Sequence, residues 1–124
     1  FHFTGFLRGE DVHKMFQLSD VYVMPSVSEP FGISPLEAMR SNVPVIISKQ
    51  SGVAEVLDYA VKVDYWDVDA LADAIFALIE YPALGKMFAS KGLEEVTNLK
   101  WNDAAAKIKT VYETAIEENQ KKTK

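Results

Sequence analysis

Glu29 and Glu37, with seven residues between them, bracket the part of the chain whose residue types and spacing best support chemistry. Between them runs Pro30-Phe31-Gly32-Ile33-Ser34-Pro35-Leu36. Gly32 lets a backbone come close to a ligand. The amides of Gly32, Ile33 and Ser34, at the start of an expected helix, have no intrahelical acceptor and can point at an anion such as a diphosphate. Glu29 has no basic neighbour in sequence, so its carboxylate can accept hydrogen bonds from the hydroxyls of a neutral polyol, as a sugar offers. Glu37, in the first turn or so of the helix, has two oxygens that suit the two vicinal hydroxyls of a ribose. A nucleoside diphosphate sugar would span all three features.

Each of these residues also has a purely structural reading. Ser34-Pro35-Leu36-Glu37 is a capping box, with Ser at the N-cap, Pro at the first helical position and Glu three residues after the cap. Glu29 alone is an exposed loop acid, the default for a carboxylate. Gly32 could simply serve the turn. On the residues alone both readings stand open.

The elements that must position this segment follow from the apolar pattern. Short runs rich in Val, Ile, Phe and Tyr predict strands near Phe1–Thr4, Val21–Pro25, Val43–Ile47 and Val61–Val63. Helical patterns follow near Glu10–Leu18, Pro35–Arg40, Gly52–Leu57, Val68–Tyr81, Ala83–Thr97 and Asn102–Glu117. Strands alternating with helices predict an α/β fold, a Rossmann-like parallel sheet with flanking helices on both faces. Pro25 to Met39 then runs from a strand end through a loop into a helix, at the sheet edge where ligands bind in such folds. In the last helix Trp101, Ala105, Ile108, Val111, Tyr112, Ala115 and Ile116 recur at threes and fours, so one face is expected to pack on something as core.

Composition narrows the partners. The 124 residues are 48% apolar and 25% charged, enough for one domain with one core. A net charge of -5 and a pI near 5.0 disfavour a nucleic-acid face and binding to anionic membrane. The absence of cysteine excludes disulfides and thiolate metal sites, and fits a reducing compartment. No apolar run approaches the roughly 20 residues that span a bilayer, so no transmembrane segment is expected. A cytoplasmic location is expected, with a peripheral membrane position open to a full-length protein. Residues 1–117 read as one nucleotide-sugar-binding Rossmann-like domain, cut short at its N-terminal side because it starts inside an apolar segment. Residues 118–124 read as a charged tail that should fray.

The segment from Glu29 to Glu37 resembles the E-x7-E signature of retaining glycosyltransferases of the glycogen-synthase-like superfamily, family 4, which have the GT-B architecture. Glu29-Pro30-Phe31-Gly32-Ile33 and Leu36-Glu37-Ala38-Met39 match that motif almost letter for letter. Val43-Pro44-Val45-Ile46, followed by Ser51-Gly52 and Glu55, resembles the next strand and loop. Phe3-Thr4-Gly5-Phe6-Leu7, Ser19 to Ser26, and Trp101 through Tyr112 are similar to other parts of the same C-terminal domain. The resemblance implies that Glu29 contacts hydroxyls of the donor sugar as the catalytic-site acid. It implies that the amides of Phe31, Gly32, Ile33 and Ser34 line the sugar and diphosphate, and that Glu37 holds the ribose. The implied reaction is retaining transfer from a nucleoside diphosphate sugar through an oxocarbenium-like transition state. The leaving diphosphate would be stabilised by amides and basic side chains, with no cofactor and no required metal.

Two departures qualify the resemblance. Asn42 stands where that family usually has Gly before its x-Pro-Val strand, and Asn tolerates the left-handed cap required there. The family's N-terminal, acceptor-holding domain and the Arg and Lys that grip the diphosphate are expected outside this sequence. The chain by itself is therefore expected to be inactive, and to self-associate through surface the missing parts would cover. Lys49 and Arg40 are the nearest cations but are read as solvated. Asp67-Val68-Asp69 has the D-x-D form of metal-dependent transferases, yet it opens a helix, where an N-cap explains it. His2 and His13 have no partners at metal-ligand spacing. Lys49-Gln50-Ser51-Gly52 could border the nucleotide or be an ordinary loop, and Glu55 reads as support. The alternative function is a non-catalytic nucleotide- or sugar-binding regulatory module; a receiver-type signalling domain lacks its acids after the first strand.

Overall fold

Three short runs of β-branched and other apolar residues form the sheet: β1 (Tyr22–Met24), β2 (Val45–Ser48) and β3 (Val61–Val63). All pairing is parallel in the order β1-β2-β3, with Tyr22 opposite Val45 and Ile46 opposite Val61. Around it lie α1 (Glu10–Gln17), α2 (Ser34–Arg40), α3 (Val68–Glu80), α4 (Pro82–Asn98) and α5 (Trp101–Lys122), plus a 3-10 turn at Gly52–Glu55. This computed structural model describes residues 1–122.

Every residue of β2 is buried, as a central parallel strand covered on both faces must be. Successive side chains go to opposite faces. Val45 and Ile47 join Ala38, Met39, Val53 and Leu57 on one side. Ile46 joins Val63 and Leu78 on the other, flanked by Val23, Leu71, Ile75 and Phe88. Each such fully buried aliphatic contributes about 1.5–3 kcal/mol relative to an exposed one. Helix α4 packs on both α2 and α3 and supplies Val96 to the first cluster and Phe88 to the second, so it ties the two layers together.

Local signals explain the ends of several helices. Asp67 caps α3, its carboxylate accepting from the Ala70 amide at 3.0 Å. Beyond α2, Asn42 adopts φ 60 while the Val43 amide donates to the Ala38 carbonyl and the Asn42 amide to that of Met39. That is the left-handed Schellman cap expected of a Gly position, here held by Asn.

Three expectations need correction. Phe1–Thr4 is not a strand but irregular and exposed, because among the described residues no strand lies beside it to take its backbone hydrogen bonds. The apolar face of α5 is not core: Trp101, Ile108, Val111, Tyr112 and Ile116 are all exposed, since periodicity specifies a helix and a face but not a neighbour. Helix α5 also continues past Glu117 to Lys122, through residues assigned to the tail; these are good helix formers, and positions 123 and 124 lie outside the described residues.

Candidate functional site

The loop that leaves β1 is strapped across the ends of the strands by backbone bonds. Glu29 and Ser51 form an isolated parallel bridge, in which the Gly52 amide donates to the Glu29 carbonyl at 2.9 Å. The Val53 amide donates to the Phe31 carbonyl at 2.8 Å. Buried Ser48 donates to the Ser26 carbonyl at 2.6 Å, and Ser51 donates to the Ser48 carbonyl at 2.7 Å. The approach is close enough that a Cβ on Gly52 would run into the Pro30 carbonyl.

Gly32 turns the loop into α2 with φ 92, a conformation L side chains rarely adopt. A Cβ there would lie 3.0 Å from the Met24 methyl and 3.1 Å from Cγ of Glu29, so the turn rests against the half-buried Glu29 side chain. The capping box is not formed. Ile33 is the N-cap, without a side-chain cap, and Ser34 is already helical. The Ser34 hydroxyl instead lies 2.7 Å from that of Tyr22 and donates to the Met24 sulfur at 3.9 Å. Among the described residues, no hydrogen bond uses the amides of Phe31, Gly32, Ile33 or Ser34; the first amides of the helix to bond are Leu36 and Glu37, both to the Ile33 carbonyl. Phe31 and Ile33 carry exposed side chains on this turn.

Glu37 is exposed one turn further on, and its carboxylate makes no hydrogen bond or ion pair among the described residues. It opens on a cleft of about 790 Å³ between α1 and α2 whose walls include Arg8, Gly9, His13, Phe16 and Arg40. Arg8 sits over the Phe6 ring, 5.0 Å from its centroid. His13 is held from both sides: Gln17 lies 3.1 Å from Nε2 and the Ser41 hydroxyl 3.1 Å from Nδ1, while Ser41 donates to the Glu37 carbonyl. With the ring proton on Nδ1 every hydrogen in that chain is used once. Glu29 does not line this cleft; it stands on the strap at the other side of the Gly32 turn.

The loop after β2 commits its cation elsewhere. Lys49 and Gln50 donate to the two oxygens of Asp64, each at 2.8 Å, and the Tyr65 amide donates to Gln50 at 3.4 Å. The hydrogen bond from Lys49, then that from Gln50, holds the Asp64 carboxyl below the usual carboxylate range. Arg40, by contrast, reaches the Glu37 cleft. Glu55 is exposed in the 3-10 turn. Among the described residues no three His, Asp or Glu side chains come together as metal ligands, and no helix is long and apolar enough to cross a membrane.

Tyr22 and His13 are neighbours of the candidate site that sequence reasoning missed. Tyr22 reaches a residue twelve positions away and His13 one twenty-eight away, and neither separation follows a helix or strand period. The advance signal was the helical pattern at Glu10–Leu18 that carries His13.

A parallel sheet in the order β1-β2-β3, covered by helices on both faces and carrying a glycine-containing turn at the carboxyl ends of its strands, is a Rossmann-like α/β fold. Residues 1–95 match the family described as Glycosyl transferases group 1, and the chain belongs to that family. It is 30% identical over 120 residues to an uncharacterized glycosyltransferase of Methanocaldococcus jannaschii, covering 93% of this chain and 30% of that protein. Among solved structures it superposes with a TM-score of 0.76 on sucrose-phosphate synthase from Thermosynechococcus elongatus, at 30% identity, over 94% of this chain and 30% of that one. The C-terminal domain of a glycosyl transferase group 1 family protein from Francisella tularensis gives a TM-score of 0.68 at 28% identity, over 75% of this chain and 50% of that one. The fold is thus that of the C-terminal domain of a GT-B glycosyltransferase. The chain spans about 30% of the length of the first of these relatives.

Proposed function

We propose that this chain holds the donor of a retaining, family 4-type glycosyltransferase, and that the protein carrying it moves a sugar from a nucleoside diphosphate sugar to an acceptor. The observation that carries the reading is the turn from Phe31 to Ser34. Its amides have no acceptor among the described residues, and it lies between two carboxylates, Glu29 on the strap and Glu37 on the cleft.

On this reading the ribose hydroxyls bind Glu37, with the base in the cleft beside Gly9 and His13. The diphosphate faces the amides of Gly32, Ile33 and Ser34, and the sugar hydroxyls meet Glu29. As the donor bond breaks, negative charge grows on the leaving diphosphate, where fixed amide dipoles stabilise it without reorganising. Glu29 is a carboxylate close to the developing oxocarbenium and favours that positive charge while orienting the sugar. No metal or cofactor is needed for these roles. Because the chain spans about 30% of its curated relative, acceptor binding and transfer are proposed for the protein as a whole.

The test is calorimetric titration with UDP, GDP and ADP and their glucose and mannose conjugates, comparing wild type with Glu29→Ala and Glu37→Ala. One nucleotide should bind, Glu37→Ala should weaken the free nucleotide and its conjugate alike, and Glu29→Ala should weaken only the conjugate. Silence of all ligands toward the protein carrying this chain would sink the reading. NMR of the product's anomeric proton would decide retention.

A further inference from the structure

The Glu37 cleft lies between α2 and α1 with the segment that leads into α1, and one side chain behind it touches both helices. Tyr22, half-buried on β1, meets Phe16 of α1 edge to face, with ring centroids 5.6 Å apart at 75°. Its hydroxyl lies 2.7 Å from that of Ser34, the first residue of α2. Phe16 itself lines the cleft. Ser34 donates onward to the Met24 sulfur at 3.9 Å, so Tyr22 donates to Ser34 and each hydroxyl proton has one acceptor.

Ser34 stands three residues before Glu37, and residues three apart share one face of a helix. A bond to Ser34 therefore adds to the packing that sets the rotation of α2 about its axis, and with it the direction of the Glu37 side chain. Buried Pro35, Ala38 and Met39 seat α2 on the core, and because its N-terminus has no side-chain cap, the bond to Tyr22 is a polar tie at its first residue. Glu37 itself is exposed, and its carboxylate has no hydrogen bond or ion pair among the described residues to aim it. We infer that Tyr22 is a positioning residue for the nucleoside end of the donor site, acting through Ser34 to aim Glu37 into the cleft. This inference rests on the proposed function.

The experiment compares binding of the preferred nucleoside diphosphate with that of its dideoxy counterpart, which lacks the ribose diol, in the protein carrying this chain. Wild type should prefer the diol, and Glu37→Gln should lose the preference. Tyr22→Phe keeps the ring against Phe16 and removes only the hydroxyl; it should lower the preference about three- to ten-fold, the worth of one ordinary hydrogen bond. Ser34→Ala should do the same, and the double variant should be no worse than either single one, because one bond is lost in all three. A merely structural role would lower the unfolding midpoint and leave the preference between the two nucleotides unchanged, which overturns the inference. If wild type itself shows no preference for the diol, the ribose role of Glu37 fails and this inference falls with it. If wild type prefers the diol and Tyr22→Phe keeps that preference in full, the inference alone fails.

Discussion

The amide of Gly52 stands 2.9 Å from the carbonyl of Glu29, joining the loop after β2 to the loop that carries the first acid of the site. Gly52 has to be glycine for this to happen, since a side chain would meet the Pro30 carbonyl.

Gly52→Ala is expected to push the two loops apart, costing about 1–3 kcal/mol as an overpacked contact does. Urea unfolding would read the loss, and binding of the nucleotide sugar should weaken in parallel because Glu29 moves with the strap. Unchanged stability and affinity would show that the loop yields freely.

Glu37→Ala separates the two readings of that residue. With no capping box formed, its removal should change stability by less than about 0.5 kcal/mol, the range of an exposed substitution. Loss of hydrogen bonds from ribose to a charged acceptor should meanwhile weaken nucleotide binding by about 1.5–3 kcal/mol. Denaturant melts and calorimetry on the same samples check both halves, and a large drop in stability would restore the capping role.

Asp64 should titrate below the ordinary carboxylate range because Lys49, and then Gln50, hydrogen-bond its charged form. A depressed folded-state value means that the clamp stabilises the fold above the unfolded-state pKa and that this contribution disappears as pH falls through the folded-state value. NMR of the carboxyl carbon should show a low midpoint that moves up in Lys49→Met. Solvent exposure of the pair keeps the change in overall stability small.

Glu95 of α4 accepts from the amides of Asp58 and Tyr59 at 2.7 and 3.0 Å, holding the turn before β3. Glu95→Ala should cost about 1.5–3 kcal/mol, since two hydrogen bonds to a charged acceptor are lost. Glu95→Gln, which keeps one acceptor oxygen, should lose less. Thermal melts would rank the variants, and nucleotide affinity should not follow the ranking, because Glu95 lies away from the cleft.

What the sequence determined by itself is local in origin. Alternating apolar runs specified parallel strands near Val21–Pro25, Val43–Ile47 and Val61–Val63, because side chains on a strand alternate between faces and β2 had to be apolar on both. Asp67 and Asn42 announced their caps through the chemistry of their own side chains. The order and spacing of Glu29, Gly32 and Glu37 marked the candidate site, since a strand-loop-helix segment carries its candidate ligand groups in a short stretch.

Tertiary structure decided everything that depended on a distant partner. Ser34 fits a capping box in sequence, yet a tyrosine hydroxyl from β1 takes its oxygen and the helix starts one residue earlier than a box requires. Phe1–Thr4 has the composition of a strand but finds no neighbour to pair with, and α5 has an apolar face that nothing among the described residues covers. The cleft at Glu37 exists only because α1 packs beside α2. A hydrogen bond or a buried face needs two surfaces, and one segment's sequence specifies only its own.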